Sequence, residues 1–136
     1  MKRDDLPYLT TENLAKLRKR SKYKVSAREA RTLDGTTYDS KTEMRRARQL
    51  MLAKQCGVIV DWSAQPEFHL GCAENVYRAD FLVTDRDGKH VEDVKGCRTA
   101  KFNHDVKLWK KYGELPLHIL TENGSGWTRE IIKGKA

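Results

Sequence analysis

The chain has 136 residues, enough for one domain with a modest hydrophobic core and too few for two. Its 27 lysines and arginines exceed its 19 aspartates and glutamates, and the net charge of +8 favours a polyanionic partner. The three cysteines form no paired motif, and no apolar run approaches the ~20 residues of a membrane span. We therefore expect no disulfide framework, no membrane association and a soluble, cytoplasmic protein.

The first 38 residues are predicted to be a basic arm and linker. Residues 1–31 contain ten basic and four acidic side chains, a surplus of +6. We expect a short helix through Arg20 and a small hairpin that turns at Asp34-Gly35. Such an arm is typical of proteins that follow nucleic-acid phosphates, and a solubilising tail is the alternative. The side chains predicted to bind DNA are Arg18, Lys19, Arg20, Lys22 and Lys24.

A core over residues 39–122 is predicted from the helix and strand signals that follow. Ser40, with Glu43 three residues later, forms a capping-box pattern, and Gly57 stops a helix that we place at about 41–55. The later elements predict an α/β fold with a mixed central sheet flanked by helices, and then a loose basic tail. Their ranges are 58–62, 67–70, 77–84 and 89–95 for strands, 101–112 for a helix, 115–120 for the last strand and 123–136 for the tail.

The stretch VEDVKG at 91–96 puts charged side chains inside a strand that should be buried. Side chains alternate along a strand, so Asp93 and Lys95 share one face and Glu92 projects from the other. A four-residue turn over 85–88 sets Asp80 of the preceding strand opposite Asp93, and a two-residue turn sets it opposite Lys95. Either turn places Asp80 on the face of Asp93 and Lys95. An odd-length loop would bring in Glu92 instead.

Two carboxylates side by side in a sheet repel each other and are a poor choice for stability alone. A hard cation such as Mg²⁺ removes the conflict, because it takes oxygen ligands and keeps several waters beside one or two carboxylates. We therefore expect a cation at Asp80 and Asp93, with Lys95 positioning or deprotonating a water that attacks a phosphate. The alternatives are ordinary ion pairs, between Asp80 and Arg78 or Lys95, and between Asp93 and Lys95.

Glu43 is predicted to complete this group from the helix side. It begins the helical face, shared with positions 47, 50, 51 and 54, that should pack on the sheet. From that place Glu43 could reach the cation. Its alternative role is only to hold the helix start as part of the capping box.

An acidic residue on a first helix, an Asp after one strand and [D/E]-x-K on the next form the motif of the PD-(D/E)xK nuclease superfamily. The chain resembles that superfamily in Glu43, Asp80 and Asp93-Val94-Lys95. More closely, residues 22–120 resemble a small family of unknown function found largely in phages and prophages. This resemblance rests on SKYKV, YDSKTE, QPEFHL, YRADF and VEDVKG, then TAKF and KLW. Ala79 stands where the superfamily has a proline before the Asp.

The resemblance implies a restriction-endonuclease-like core in which Asp80 and Asp93, with Glu43, bind Mg²⁺ or Mn²⁺. It makes Lys95 the catalytic lysine of a DNA endonuclease. Branched DNA is the expected substrate, with plain duplex as another form, and Holliday junction resolution by a homodimer in phage recombination or DNA processing is the specific expectation. A phage-encoded protein of this kind would act in the host cytoplasm without a small-molecule cofactor.

Further polar side chains near the motif are weaker candidates for contact with the scissile backbone. One of them, His104, is a secondary candidate for the general base, a role that Lys95 already covers. A non-catalytic nucleic-acid-binding module or phage adaptor with the same fold, and a ribonuclease, are the alternative functions. The weaker candidates are Thr99, Lys101, His104 and Lys107, whereas Gln65 is expected only to lie near the site and Glu92 is the residue that an odd-length loop would bring in.

Overall fold

A computed structural model of the protein describes residues 27–135, and the chain divides into two units between Lys41 and Thr42. The predicted arm helix lies outside the described residues, as do Arg18, Lys19, Arg20, Lys22 and Lys24. No helix in the described part of the chain is long and apolar enough to cross a membrane. The three cysteines are free and exposed.

The first unit contains a short 3-10 helix, Arg28–Arg31, and the small predicted hairpin. Strand β1 is Thr32–Leu33 and β2 is Thr36–Thr37, and they pair antiparallel. The turn between them is formed by Asp34-Gly35, with left-handed φ angles of 51° and 81°. The hairpin prediction is therefore confirmed.

The second unit contains a five-stranded mixed sheet with helices packed on it, which confirms the predicted α/β class. Three of the four strand pairings in this sheet are antiparallel, and the pairing of β7 (Gly88–Val94) with β8 (Leu117–Asn123) is parallel, across a helical connection. In sheet order the strands are β3 (Asp61–Ala64), β6 (Phe81–Asp85), β7 (Gly88–Val94), β8 (Leu117–Asn123) and β9 (Gly126–Ile132).

One helix covers each face of this sheet. Helix α1 is Lys41–Gln55 and α2 is Ala100–Tyr112, close to the predicted ranges. The apolar stripe of α2, Phe102, Val106 and Trp109, packs in a cluster with buried strand residues such as Val91. Since Val91 and Asp93 lie on the same side of β7, the α2 face of the sheet is also the face of Asp93.

The single strand predicted over 77–84 is wrong, because the chain breaks there into β5 (Val76–Arg78) and β6. Strand β5 pairs with β4 (Glu67–His69) in a separate two-stranded sheet. Both pairs keep one common register, so β3–β4 and β5–β6 are the arms of one long hairpin that is kinked in the middle. Pro66, which has no N–H for the ladder, lies at the kink beside Gln65, whose φ of 54° is left-handed.

The loose tail predicted after residue 122 is also wrong, because β9 forms the edge of the sheet. The Asn123-Gly124-Ser125-Gly126 stretch is a hairpin turn, with Gly124 at φ 62° and Asn123 paired with Gly126. Buried Ile132 anchors the far end of the strand in the core cluster. A run of turn residues thus reverses the chain and does not end the fold.

Helix α1 is fastened to the sheet by a buried ion pair. Arg46 donates from Nε and Nη2 to the two carboxylate oxygens of Glu92, at 2.7 and 2.8 Å. Glu92 is fully buried, and the Arg46 side chain is 14% exposed. Removing Arg46 would leave the Glu92 carboxylate buried without its positively charged partner from α1. His90 Nε2, which lies 2.8 Å from Glu92 Oε2, would remain.

We expect Arg46→Met to lower the free energy of unfolding by about 3–5 kcal/mol, because it leaves the Glu92 charge buried without its strongest partner. The matched control is Arg45→Met on the same helix. Arg45 makes an equally short pair with Glu122, at 2.7 Å, but at an exposed position. Its removal should cost less than about 1 kcal/mol in urea denaturation. Equal losses for both variants would contradict the anchoring role of Arg46.

Candidate active site

Asp80 lies at the kink of the long hairpin, where its backbone is held from both sides. Its N–H donates to the carbonyl of Glu92 at 3.1 Å, and its carbonyl accepts from Gln65 N–H at 2.8 Å. Gln65 therefore lies beside the site, as predicted, and it contacts Asp80 through its backbone N–H. The kink thus fixes the position of Asp80 at the end of β6.

Asp80, Asp93 and Lys95 share one face of the sheet, as a four-residue turn over 85–88 predicted. Thr84 pairs with Lys89 and Asp85 with Gly88, and the same register continued by four residues puts Asp80 opposite Asp93. Glu92, which an odd-length loop would have brought in, lies on the other face with Arg46. Glu92 is therefore separated from the candidate site by the sheet itself.

Each aspartate has one carboxylate oxygen held by a protein donor. Asp80 Oδ2 accepts from Val94 N–H at 2.7 Å. Asp93 is buried, and its Oδ2 accepts a short hydrogen bond from the Tyr77 hydroxyl. Asp93 Oδ1 lies 3.1 Å from Lys95 Nζ, but no donor in the described part of the chain is aligned to give it a hydrogen bond. In each carboxylate, one oxygen is thus held by a hydrogen bond from the protein.

The two aspartates are close enough to affect each other's charge. Burial, then the charges of Asp93 and Glu43, raise the pKa of Asp80 from 3.8 to about 9, against the opposing effects of Val94 N–H and Lys95. Asp80 without a bound cation therefore holds its proton at neutral pH. The Arg78 ion pair considered for Asp80 goes instead to Glu67, at 2.9 Å.

Glu43 is buried near the start of α1, 3% exposed, and contributes to the raised pKa of Asp80. It therefore lies on the side of α1 that faces the sheet, as predicted. In the range 27–135 no group of three or more His, Cys, Asp and Glu side chains is arranged to hold a metal ion. Asp80 and Asp93 are the pair, and Glu43 is an acidic neighbour.

A cleft of about 340 Å³ opens beside Tyr77 and Lys95, the two residues that contact Asp93, and its charged lining consists of three basic side chains and Asp105. Thr99 caps α2, where its Oγ1 accepts from Phe102 N–H at 3.1 Å, and the start of this helix lines the cleft. His104 and Lys107 are exposed on α2 and are not among the lining residues. The lining residues are Val76, Tyr77, Arg78, Lys95, Thr99, Lys101, Phe102 and Asp105.

Tyr77 is a site residue that the sequence analysis missed. It is buried, and burial followed by the Asp93 charge raises the pKa of its hydroxyl, which therefore stays a donor. The only signal in the sequence is its place in the YRADF stretch, three residues before Asp80. Strand alternation in one straight strand would have put Tyr77 and Asp80 on opposite faces, and only the kink brings both to Asp93.

We expect Asp80→Asn to stabilise the metal-free protein by roughly 1–3 kcal/mol at about pH 8. The pKa of Asp80 is raised in the folded state to about 9, so the wild type loses stability as pH rises from 3.8 through 9. The gain from the substitution should grow over the same interval. Urea denaturation in EDTA across this interval measures it, with Asp87→Asn in the exposed turn as the control for net charge. A gain that does not depend on pH would contradict the assignment.

Comparison with protein families matches residues 20–124 to the family described as protein of unknown function, DUF1064. No curated protein and no solved structure matches the chain significantly. The family match covers the hairpin of the first unit, both helices and every strand up to β8, including all four residues of the proposed motif. By this match the chain belongs to the DUF1064 family.

Proposed function

We propose that the protein is a metal-dependent DNA endonuclease that hydrolyses phosphodiester bonds at Asp80, Asp93 and Lys95. One observation carries the proposal. Asp80 and Asp93 face each other where the pairing of β6 with β7 ends, and they share a face with Lys95, whose Nζ lies 3.1 Å from Asp93. Like charges placed together cost stability, so an arrangement of this kind is typical of function.

The donor set fits a hard divalent cation such as Mg²⁺ or Mn²⁺. Asp80 and Asp93 offer carboxylate oxygens only, and each has its Oδ2 already engaged by a protein donor. Asp93 Oδ1 is buried and accepts no aligned hydrogen bond from the described residues, so it is the oxygen that a cation would stabilise. Two carboxylates with waters are a common Mg²⁺ arrangement, and Glu43 is a further acid, whose charge acts on Asp80.

A divalent cation held there would supply Lewis-acid stabilisation of a phosphate ester. The protein's own groups have distinct tasks. Asp80 and Asp93 would hold the cation, and Lys95, 31% exposed at the cleft, would place a positive charge where negative charge grows on the phosphate. The Phe102 ring, centred 4.6 Å from Lys95 Nζ, restricts the movement of the ammonium group.

The basic lining of the cleft supports a nucleic-acid substrate. Arg78 and Lys101 flank the site, and the start of α2 at Thr99 adds the positive end of a helix dipole. His104 and Lys107, exposed further along α2, would extend this contact. Gln65 donates its backbone N–H to the carbonyl of Asp80 and so helps to hold Asp80 in place. Such basic side chains would contact phosphates and not base edges, which favours recognition of DNA shape.

Branched DNA is therefore the proposed substrate, and Holliday junction resolution in phage recombination or DNA processing is the specific form of the proposal. Paired cuts across a junction suit a homodimer. The basic residues before residue 27, which lie outside the described part, would add phosphate contacts that weaken as salt rises. The alternative function is a nucleic-acid-binding module, in which the same cleft binds nucleic acid and no bond is cleaved.

The test is incubation of the purified full chain with four-way junctions, flaps, plain duplex, single strands and a matched RNA duplex, with Mg²⁺, Mn²⁺ or EDTA. We expect cleavage of branched DNA that requires the metal. Asp93→Asn and Lys95→Met should each lower the rate about 100-fold or more, because the first removes a ligand of the cation and the second removes the positive charge beside the reacting phosphate.

Lys89→Met is the matched control, since Lys89 is an exposed lysine at the start of β7, and strand alternation puts it on the face of Asp93. It should cleave at the wild-type rate. Cleavage that survives EDTA or Asp93→Asn would contradict the proposal. Metal-independent binding without cleavage would identify the binding module, and cleavage of RNA alone would identify a ribonuclease.

A further inference from the structure

Tyr77 comes to the candidate site from outside the main sheet. It lies on β5, opposite Phe68 of β4, in the two-stranded arm beyond the kink. Its ring packs edge-to-face on Trp109 of α2, with centroids 5.8 Å apart, and Phe68 packs on the same indole at 5.0 Å. The ring of Tyr77 is therefore fixed by contacts that do not involve its hydroxyl.

The hydroxyl of this fixed ring donates to Asp93 Oδ2. On the opposite side of the same carboxylate, Lys95 Nζ lies 3.1 Å from Oδ1. A carboxylate turns easily about its terminal torsion, which has broad minima, so a single contact would not set its plane. The hydroxyl and the ammonium group together do set it.

The two contacts are not equivalent. The Tyr77 hydroxyl is buried and makes an aligned hydrogen bond, whereas the ammonium group of Lys95 is partly exposed and is not aligned to donate to Oδ1. Oδ2 is therefore committed to the protein. Oδ1 is directed towards Lys95 at the cleft and can exchange that contact for another cation.

We propose that Tyr77 is a positioning residue that holds Asp93 so that Oδ1 is the oxygen presented to the divalent cation. This inference rests on the proposed function, because it takes Asp93 as a ligand. It also makes the β4–β5 arm, through one hydroxyl, part of the metal site. Groups that orient a ligand in this way typically contribute about 10- to 100-fold to metal affinity.

The test measures the affinity of the full chain for Mn²⁺ without nucleic acid, by calorimetry or electron paramagnetic resonance. We expect Tyr77→Phe to weaken binding about 10-fold, since the ring contacts remain and only the hydroxyl is lost. Asp93→Asn should weaken it at least as much. Tyr112→Phe is the matched control, because Tyr112 is a partly exposed tyrosine on α2 that is not a lining residue of the cleft, and it should bind as the wild type does.

A second measurement separates positioning from folding. The rate of DNA cleavage by Tyr77→Phe should return towards the wild-type value as Mn²⁺ is raised to saturation, which a purely structural defect would not allow. Melting in EDTA checks that the variant folds. A variant that does not fold would assign the hydroxyl to folding and overturn the inference.

The outcomes also distinguish this inference from the proposed function. If Asp93→Asn loses Mn²⁺ but Tyr77→Phe binds as the wild type does, the positioning role is overturned and the metal site stands. If the wild type binds no Mn²⁺, or Asp93→Asn binds as well as the wild type, the metal site is overturned together with the role of Tyr77.

Discussion

The buried ion pair between Arg46 and Glu92 is the constraint on which the arrangement of the site depends. Glu92 and Asp93 are adjacent in β7 and therefore project to opposite faces of the sheet. Glu92 fastens α1 on one face, and Asp93 meets Tyr77 and Lys95 on the other. Glu43 lies three residues before Arg46 on the same helix, so the same pair also positions the Glu43 charge that acts on Asp80. The two acids of one strand thus have separate tasks.

A polar network surrounds Glu92 and makes its burial tolerable. Although burial opposes it, hydrogen bonds from His90 and Arg46 lower the pKa of Glu92 from 4.5 to about 2, so its stabilising effect is complete above 4.5 and is lost towards 2. The His118 ring stacks on His90 at 4.0 Å. Burial, His90 and Arg129 lower the pKa of His118 from 6.5 to about 4. The contribution of the neutral His118 ring to stability is therefore complete above pH 6.5 and is lost as the pH falls towards 4. Both effects stabilise the fold near neutral pH and fade in acid.

The kinked hairpin has the complementary role on the other face. Pro66 and the left-handed Gln65 interrupt one long ladder, and the interruption turns the β4–β5 arm towards α2. Asp80 lies at the break, held by Glu92 and Gln65 backbone bonds, while Tyr77 reaches Asp93 from the arm. A straight hairpin would have kept the tyrosine away from the carboxylate pair. A local defect in the sheet therefore assembles groups from two separate sheets.

The sequence by itself determined the features that depend on neighbours along the chain. These are the extents of α1 and α2, the turn at 85–88, and hence the common face of Asp80, Asp93 and Lys95, because turn length and strand alternation set the register locally. The tertiary structure decided the rest: the kink, the pairing of β9, the partner of Glu92 and the Tyr77 bond to Asp93. Each of these joins residues that are far apart in the chain or belong to different elements. Their contacts depend on the packing of whole elements, and side-chain periodicity carries no information about that packing.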